Sequence, residues 1–320
     1  MDGKIGLEEH FAIAETMRDS LGFAGPSLMT DLGPRLTDFH DQRLGLMDRY
    51  GIETMILSLN APAIQHIGDA QHAVELARRA NDHLAGEIAK RPDRFRGFAA
   101  LPMQDADAAA NELRRCIKEL RFVGAMVNGY SEIGDHDNCV YYDAKPYWPF
   151  WSEVEALGVP FYLHPREPSQ LKPYEGHPWL IGPAYGFAAE TGLHALRLMG
   201  CGLFDAYPRL TIVIGHMGEG LTFNLNRIDQ RIAWAPAGYP AKKKISEYFA
   251  QNFYLTTSGH FRDQALINAI LEVGADRILF STDYPFEDVG EAANWFDHAS
   301  ISEADRRKIG RDNAKRLFKL

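Results

Sequence analysis

The sequence predicts a (β/α)8 barrel of the TIM type, one domain over residues 1–320, with loop insertions at the C-terminal mouth and a C-terminal helix. Three observations carry this. Eight short apolar runs alternate with helical patterns, which is the order of a parallel α/β fold. Several runs are almost wholly apolar, as strands buried on both faces are. The rival, an open doubly wound sheet, usually carries a glycine-rich phosphate turn after its first strand. This chain has no GxGxxG and no P-loop, and GHMGEG at 215–220 has the wrong spacing.

The elements follow in order. The strands are expected at Lys4–Glu8, Thr54–Leu59, Arg96–Leu101, Gly124–Asn128, Pro160–His164, Leu210–Gly215, Phe253–Thr257 and Arg277–Ser281. Helices are expected over Ala70–Lys90, Ala106–Leu120, Tyr147–Leu157, Ala188–Tyr207 and Asp263–Val273, with a last one over Glu303–Phe318. Apolar residues recur in them every three or four positions, as in Leu113, Ile117 and Leu120. Gly51, Pro92, Gly158, Pro208 and Gly274 punctuate the returns to strand. Two connections are long, 129–146 and 165–187. Long ordered insertions tend to be binding loops, and both fall at the mouth where barrels build their sites.

Composition narrows the function. The net charge is −9, which disfavours nucleic acid and anionic membranes as partners. Lys242–Lys244 reads as a solvated helix start. Cys116, Cys139 and Cys201 show no CxxC spacing, hence neither a disulfide framework nor a zinc finger, and suggest a reducing compartment. No signal peptide or membrane span is legible, so the expected location is cytoplasmic.

The informative residues end the strands. The first strand ends in Glu8-Glu9-His10, the fourth in Asn128, the fifth in His164, the sixth in Gly215-His216, the seventh in Thr257-Ser258 and the eighth in Thr282-Asp283. One strand-end histidine is ordinarily a hydrogen-bonded structural residue. Carboxylates and histidines converging on one rim point to a metal or acid/base site. Side chains alternate on a strand, so Glu8 and His10 share a face while Glu9 faces the other way, into the barrel wall or an ion pair with a neighbour. With His164 and Asp283 they make two carboxylates and two imidazoles, which suit Zn²⁺, Mn²⁺ or Fe²⁺ rather than copper. His216 and Glu219 spell H-x-x-E, an acid/base histidine with an orienting carboxylate; the bland alternative is a helix-cap pair. His164 and Glu167 spell it too, but Pro165 breaks the geometry. His177 and His260 lie near enough to the mouth to touch a substrate, and the helical histidines read as surface or packing residues.

These stretches resemble the aminocarboxymuconate semialdehyde decarboxylase branch of the amidohydrolase superfamily. GLEEHFAI, GIETMILSLNAPA, RPDRFRGFAALP, FVGAMVNGY, VPFYLHPR, GHMGEGL, ADRILFSTDYPFE and KIGRDNAKRLFKL carry the likeness in order along the whole chain. Within the branch they look like the ortho-hydroxybenzoate decarboxylases of the γ-resorcylate type. The ExH start suits the decarboxylases, and related 2,3-dihydroxybenzoate and salicylate enzymes tend to have Ala at the place of His10. TTSGHF at 256–261 and DYPFE at 283–287 read closer to the 2,3-dihydroxybenzoate group, which keeps that acid and salicylate as alternatives.

The resemblance implies Glu8, His10, His164 and Asp283 as ligands of one Mn²⁺ or Zn²⁺ per subunit, with no organic cofactor. It implies His216 and Glu219 as the acid/base pair, and Phe23, Asn128 and Arg227 as substrate contacts, the arginine reaching into a neighbouring subunit of a homotetramer. The expected reaction is non-oxidative, reversible decarboxylation of an ortho-hydroxybenzoate, foremost 2,6-dihydroxybenzoate to resorcinol and CO2, with Asp283 as proton donor to the ring. A metal-dependent lactone or ester hydrolase is the first rival, and a barrel retired to binding is the second.

Overall fold

Apolar side chains on both faces drive all eight expected runs into strands. A computed structural model describes residues 1–320, save the side chains of 21–28 and 136. The barrel strands are β1 (Lys4–Phe11), β2 (Ile52–Leu59), β3 (Phe95–Ala99), β4 (Gly124–Asn128), β7 (Phe161–His164), β8 (Ile212–Ile214), β9 (Phe253–Thr256) and β10 (Ile278–Leu279). They pair in that order, every ladder parallel. The seam between β10 and β1 is stitched differently: His10 N–H donates to the Tyr284 carbonyl at 2.6 Å, and Glu8 N–H to Ser281 Oγ at 2.7 Å. The result is a nearly closed (β/α)8 barrel with helices between strands.

Alternate residues point inward. Leu7, Ile56, Phe98, Met126, Tyr162 and Leu279 belong to one buried cluster that fills the barrel floor. Phe318 of the C-terminal helix closes it from below, edge-on to Phe98 at 5.6 Å between ring centres. Each such side chain contributes roughly 1.5–3 kcal/mol by leaving water.

Strand β1 carries the decisive irregularity. Gly6 pairs with Met55 but Glu9 with Leu57, so β1 holds one residue more than β2 over that stretch. A bulge of this kind re-aims side chains beside active sites. Strict alternation from Ile5 and Leu7 would turn Glu9 inward; the bulge instead turns Glu8 and His10 inward and Glu9 into the wall.

Helices not expected from the sequence lie at Leu21–Thr37, Gln42–Arg49, Leu225–Trp234, Ile245–Asn252 and Val289–His298; the other differences are local. The first strand runs three residues further, through His10 to Phe11. The loop at 129–146 contains a hairpin, β5 (Ser131–Ile133) and β6 (Asp135–Val140), turning at Gly134 with φ 80°. The helix expected over Ala188–Tyr207 breaks into Gly186–Gly200 and Leu203–Ala206 at Gly202, whose φ of 85° no helix accommodates. The tail helix widens into one π turn at Lys308–Asp312, which frees the Ile309 carbonyl to accept Phe280 N–H at 3.0 Å. Among the described residues, no helix is long and apolar enough to cross a membrane.

Candidate active site

One step above the floor, the inward residues turn polar. Two positions after Ile56, Met126, Tyr162, Val213, Tyr254 and Leu279 stand Ser58, Asn128, His164, Gly215, Thr256 and Ser281. The bulged Glu8 and His10 join this layer, both fully buried.

Glu8 is held by one oxygen. Its Oε2 accepts from the hydroxyls of Tyr162 and Ser258, and from Thr256 Oγ1 at 3.3 Å. Its Oε1 is buried and accepts no hydrogen bond. Gly215 makes room, since a Cβ there would stand 3.0 Å from Oε2. His10 is likewise fixed from behind: Nδ1 lies 3.3 Å from Ser58 Oγ, while the buried Nε2 has no hydrogen-bond partner. His164 Nε2 lies 3.2 Å from Glu8 Oε1, and Asp283 Oδ1 lies 3.3 Å from His10 Nε2. One ligand atom from each of Glu8, His10, His164 and Asp283 lies within 4.8 Å of the others. Donors about one divalent ion at roughly 2.1 Å stand roughly 3–3.5 Å apart. Buried lone pairs that no proton satisfies, at that spacing, fit a cation.

Asp283 and His216 are presented by strained backbone. Asp283 has φ 63°; His216, Met217 and Glu219 have φ 51°, 55° and 53°. Left-handed geometry costs an L-residue roughly 1–2 kcal/mol, and such strain clusters at functional sites. Here it turns the H-x-x-E segment into a left-handed turn, not the helix cap that was the bland alternative. The turn brings His216 Nδ1 to 2.7 Å from Glu219 Oε1. Nε2 then faces inward, 3.5 Å from Asp283 Oδ2 and 3.9 Å from Glu8 Oε1. Gly259 lets the ring in, as a Cβ there would meet His216 Cδ2 at 3.0 Å.

Electrostatics follow from this packing. Burial works against the Glu8 carboxylate, but His216, His164 and His10 outweigh it and hold its pKa well below the usual range. Burial also opposes charge on His216; Glu219, Glu8 and Asp283 outweigh it and hold the imidazolium well above the ordinary value. His164 is pushed down by burial and by His10, so its nitrogen stays free to ligate.

Above the donors opens a cavity of about 310 Å³, lined by His216, Glu219 and Asp283, with His260, Phe187 and Glu287 around them. Burial and the nearby Asp283 push the Glu287 carboxyl up to about 7. Asn128 sits beside His164 in register. Its Nδ2 donates to the carbonyls of Asn60 and Pro62, at 3.1 and 3.3 Å, and its buried Oδ1 has no partner. Arg227 is exposed on the helix Leu225–Trp234 and does not line this cavity. His177 packs on Trp179, 4.9 Å between ring centres, and is not a lining residue either. Phe23 lies outside the residues whose side chains are described. Glu167 pairs with Arg166 at 2.8 Å, in keeping with the reading of its H-x-x-E as coincidence.

Sequence reasoning missed the supports. The hydroxyls of Tyr162, Thr256, Ser258 and Ser58, and the cavity residue Glu287, were assigned no role. Period two held a signal: Tyr162 precedes His164 by two, and Thr256 precedes Ser258 by two.

Comparison with known proteins agrees with this geometry. The family described as amidohydrolase matches residues 10–320. The chain is similar to the γ-resorcylate decarboxylase of Rhizobium sp. (strain MTP-10005), 61% identical over 100% of this chain and 99% of that one. A crystal structure of 2,6-dihydroxybenzoate decarboxylase complexed with 2,6-dihydroxybenzoate superposes with a TM-score of 0.98 at 61% identity, covering 100% of both chains. A dihydroxybenzoic acid decarboxylase of Polaromonas sp. JS666, with bound manganese and the inhibitor 2-nitroresorcinol, also gives 0.98, at 62% identity over 100% of this chain and 98% of that one.

Proposed function

The chain belongs to the amidohydrolase family, and from that premise we propose that it catalyses the non-oxidative, reversible decarboxylation of 2,6-dihydroxybenzoate (γ-resorcylate) to resorcinol and CO2. The carrying observation is Asp283, which faces the cavity with one oxygen toward His10 and the other toward His216. Glu8, His10, His164 and Asp283 hold one divalent ion, Mn²⁺ in keeping with the manganese-bound relative, with Zn²⁺ as the alternative. When bound, that ion supplies a fixed positive charge to anchor and polarise the substrate's oxygens. No organic cofactor is required, because the ring is itself the electron sink.

The chain's residues do the rest. Asn128 has both amide hydrogens engaged by backbone carbonyls, so it offers a ring hydroxyl only an acceptor, Oδ1. Glu219 fixes the ring of His216 and helps keep it charged, which leaves Nε2–H to hold a ring hydroxyl or phenolate oxygen. Direct loss of CO2 would leave an aryl carbanion. Protonation of the carboxyl-bearing carbon avoids it, and the two ortho oxygens make that carbon basic. Asp283 gives the proton; the C–C bond then breaks, its electrons restoring the aromatic ring. Phe23 is a further proposed substrate contact. We take Arg227, exposed on the helix Leu225–Trp234, to serve a neighbouring copy in a homotetramer, and the enzyme to work in the cytoplasm.

The test is an ultraviolet assay of the Mn²⁺-loaded enzyme on 2,6-dihydroxybenzoate, 2,3-dihydroxybenzoate and salicylate. The expected result is resorcinol from the first, abolished by chelation and restored by Mn²⁺, with resorcinol carboxylated at high bicarbonate. If none of the three turns over while metal is bound, the hydrolase reading takes its place.

A further inference from the structure

We infer that Glu9 is a positioning residue for Asp283; this rests on the reading of Asp283 as metal ligand and proton donor. Glu9 is fully buried and points away from the site. Its Oε1 accepts Thr282 N–H at 2.9 Å, and its Oε2 accepts Thr282 Oγ1–H at 2.6 Å and Tyr284 N–H at 3.3 Å. One carboxylate thus takes the amides on both sides of Asp283. Those bonds fix the peptide that enters Thr282 and the peptide that leaves Asp283, and so clamp a short segment in which Asp283 sits in the left-handed region, with φ 63°. Left to itself an aspartate leaves that region, and its carboxylate turns with it. Held by Glu9, it points one oxygen at His10 Nε2 and the other at His216 Nε2, at 3.3 and 3.5 Å.

Two neighbours show that the site is built around Glu9. A Cβ at Gly6 would stand 2.4 Å from Glu9 Oε1, so only glycine clears the space. Arg43 donates to the His10 carbonyl at 2.6 Å and lies over the Tyr284 ring at 4.6 Å, bracing both partners of the seam from behind. Strand β1 therefore carries Glu8 and His10 directly and Asp283 through Glu9. This is why two glutamates stand side by side in GLEEHF.

The test is a cycle of Glu9→Gln, Asp283→Asn and the double variant, read by Mn²⁺ titration calorimetry, by kcat and KM separately, and by melting. Glutamine sets an NH2 against donors that an oxygen served. The expected result is a 10- to 100-fold loss of Mn²⁺ affinity and a comparable fall in kcat, with KM little changed. The double variant is expected to be no worse than Asp283→Asn. A lower melting point with wild-type affinity and kcat would make Glu9 a mere barrel staple and overturn the inference, as would losses that add fully to those of Asp283→Asn. If Glu9→Gln does not fold, Thr282→Val removes one of the three hydrogen bonds and decides the same question, a smaller loss of the same kind being expected. Were Asp283→Asn itself to keep wild-type Mn²⁺ affinity and turnover, the reading of Asp283 would fall first, and this inference with it.

Discussion

Glu8, His10, His164 and Asp283 pass a test of proximity that a second trio, His66, Glu132 and Glu167, passes as well: in each, ligand atoms lie within 4.8 Å of one another. The two clusters differ in what stands among them. In the second, Arg166 is fully buried and donates to Glu132 at 2.7 Å and to Glu167 at 2.8 Å, while His66 meets Glu132 at 3.0 Å. The guanidinium also lies over the Tyr130 ring at 4.0 Å, and Gly129 is bare so that it can pass. That cluster has its cation built in. The first holds no guanidinium: its charged neighbour, the His216 imidazolium, stays 3.9 Å from Glu8 Oε1, and the hydroxyls leave Glu8 Oε1 and His10 Nε2 facing one point without a hydrogen bond. Closeness of donors is common; buried lone pairs left without a proton or a guanidinium mark a place for an ion.

The largest effect that would break this contrast is at Asp283. Asp283→Asn is expected to lower kcat on 2,6-dihydroxybenzoate by about 10³-fold or more, since it would remove both the proposed ligand and the proposed acid. Full turnover with Mn²⁺ bound would remove Asp283 from the chemistry.

Arg166→Met probes the other cluster. Breaking a buried ion pair from one side costs roughly 3–5 kcal/mol, read by urea unfolding in the presence of chelator. Glu132 and Glu167 would then resemble the first cluster, so millimolar Zn²⁺ is expected to restore part of the loss. No recovery would mean that donor direction matters as much as missing charge.

The sequence showed the first cluster well because its logic is periodic. Strand ends, and the period-two relation of Glu8 to His10, place four donors at one rim. The second cluster was invisible because it joins a loop, a hairpin and a strand exit; Glu132 belongs to β5, which nothing in 129–146 announced. The hydroxyl shelf under Glu8 was half visible. The bulge between Gly6 and Glu9 was not visible at all, since it depends on register against β2, yet it decides which glutamate joins His10, His164 and Asp283. Nor did the spacing of H-x-x-E disclose a left-handed turn; only the backbone angles do.

Glu219→Gln sharpens the contrast further. It keeps the shape and a hydrogen-bonding oxygen beside His216 but loses the charge. A 10- to 100-fold fall in kcat is expected, with the acidic limb of the rate–pH profile displaced and Mn²⁺ affinity unchanged. A fall in Mn²⁺ affinity instead would make Glu219 part of the metal's support.

The smallest expected effect separates the clusters by pH. Burial opposes the Glu132 carboxylate, but hydrogen bonds from His66 and Arg166 outweigh it and bring its pKa from 4.5 down to about 2. A carboxyl depressed on folding stabilises above its unfolded value and loses that contribution as pH falls from about 4.5 toward about 2. His66 is raised above 6.5, first by its hydrogen bond to Glu132 against burial, so its share is complete below 6.5 and lost as pH rises through the higher folded value. The side chain of His66 is about half exposed, which keeps that second share small. The stability difference between the wild type and Glu132→Gln is therefore expected to peak between about pH 4.5 and 6.5. It should shrink steeply on the acid side and slightly on the alkaline side, as read from urea midpoints at pH 4, 5.5 and 8. Decarboxylase turnover near neutral pH should be nearly the same in both proteins. A stability difference flat across pH would deny that the trio is an ion-pair network, and a lost turnover would tie it to the site from which its own arginine separates it.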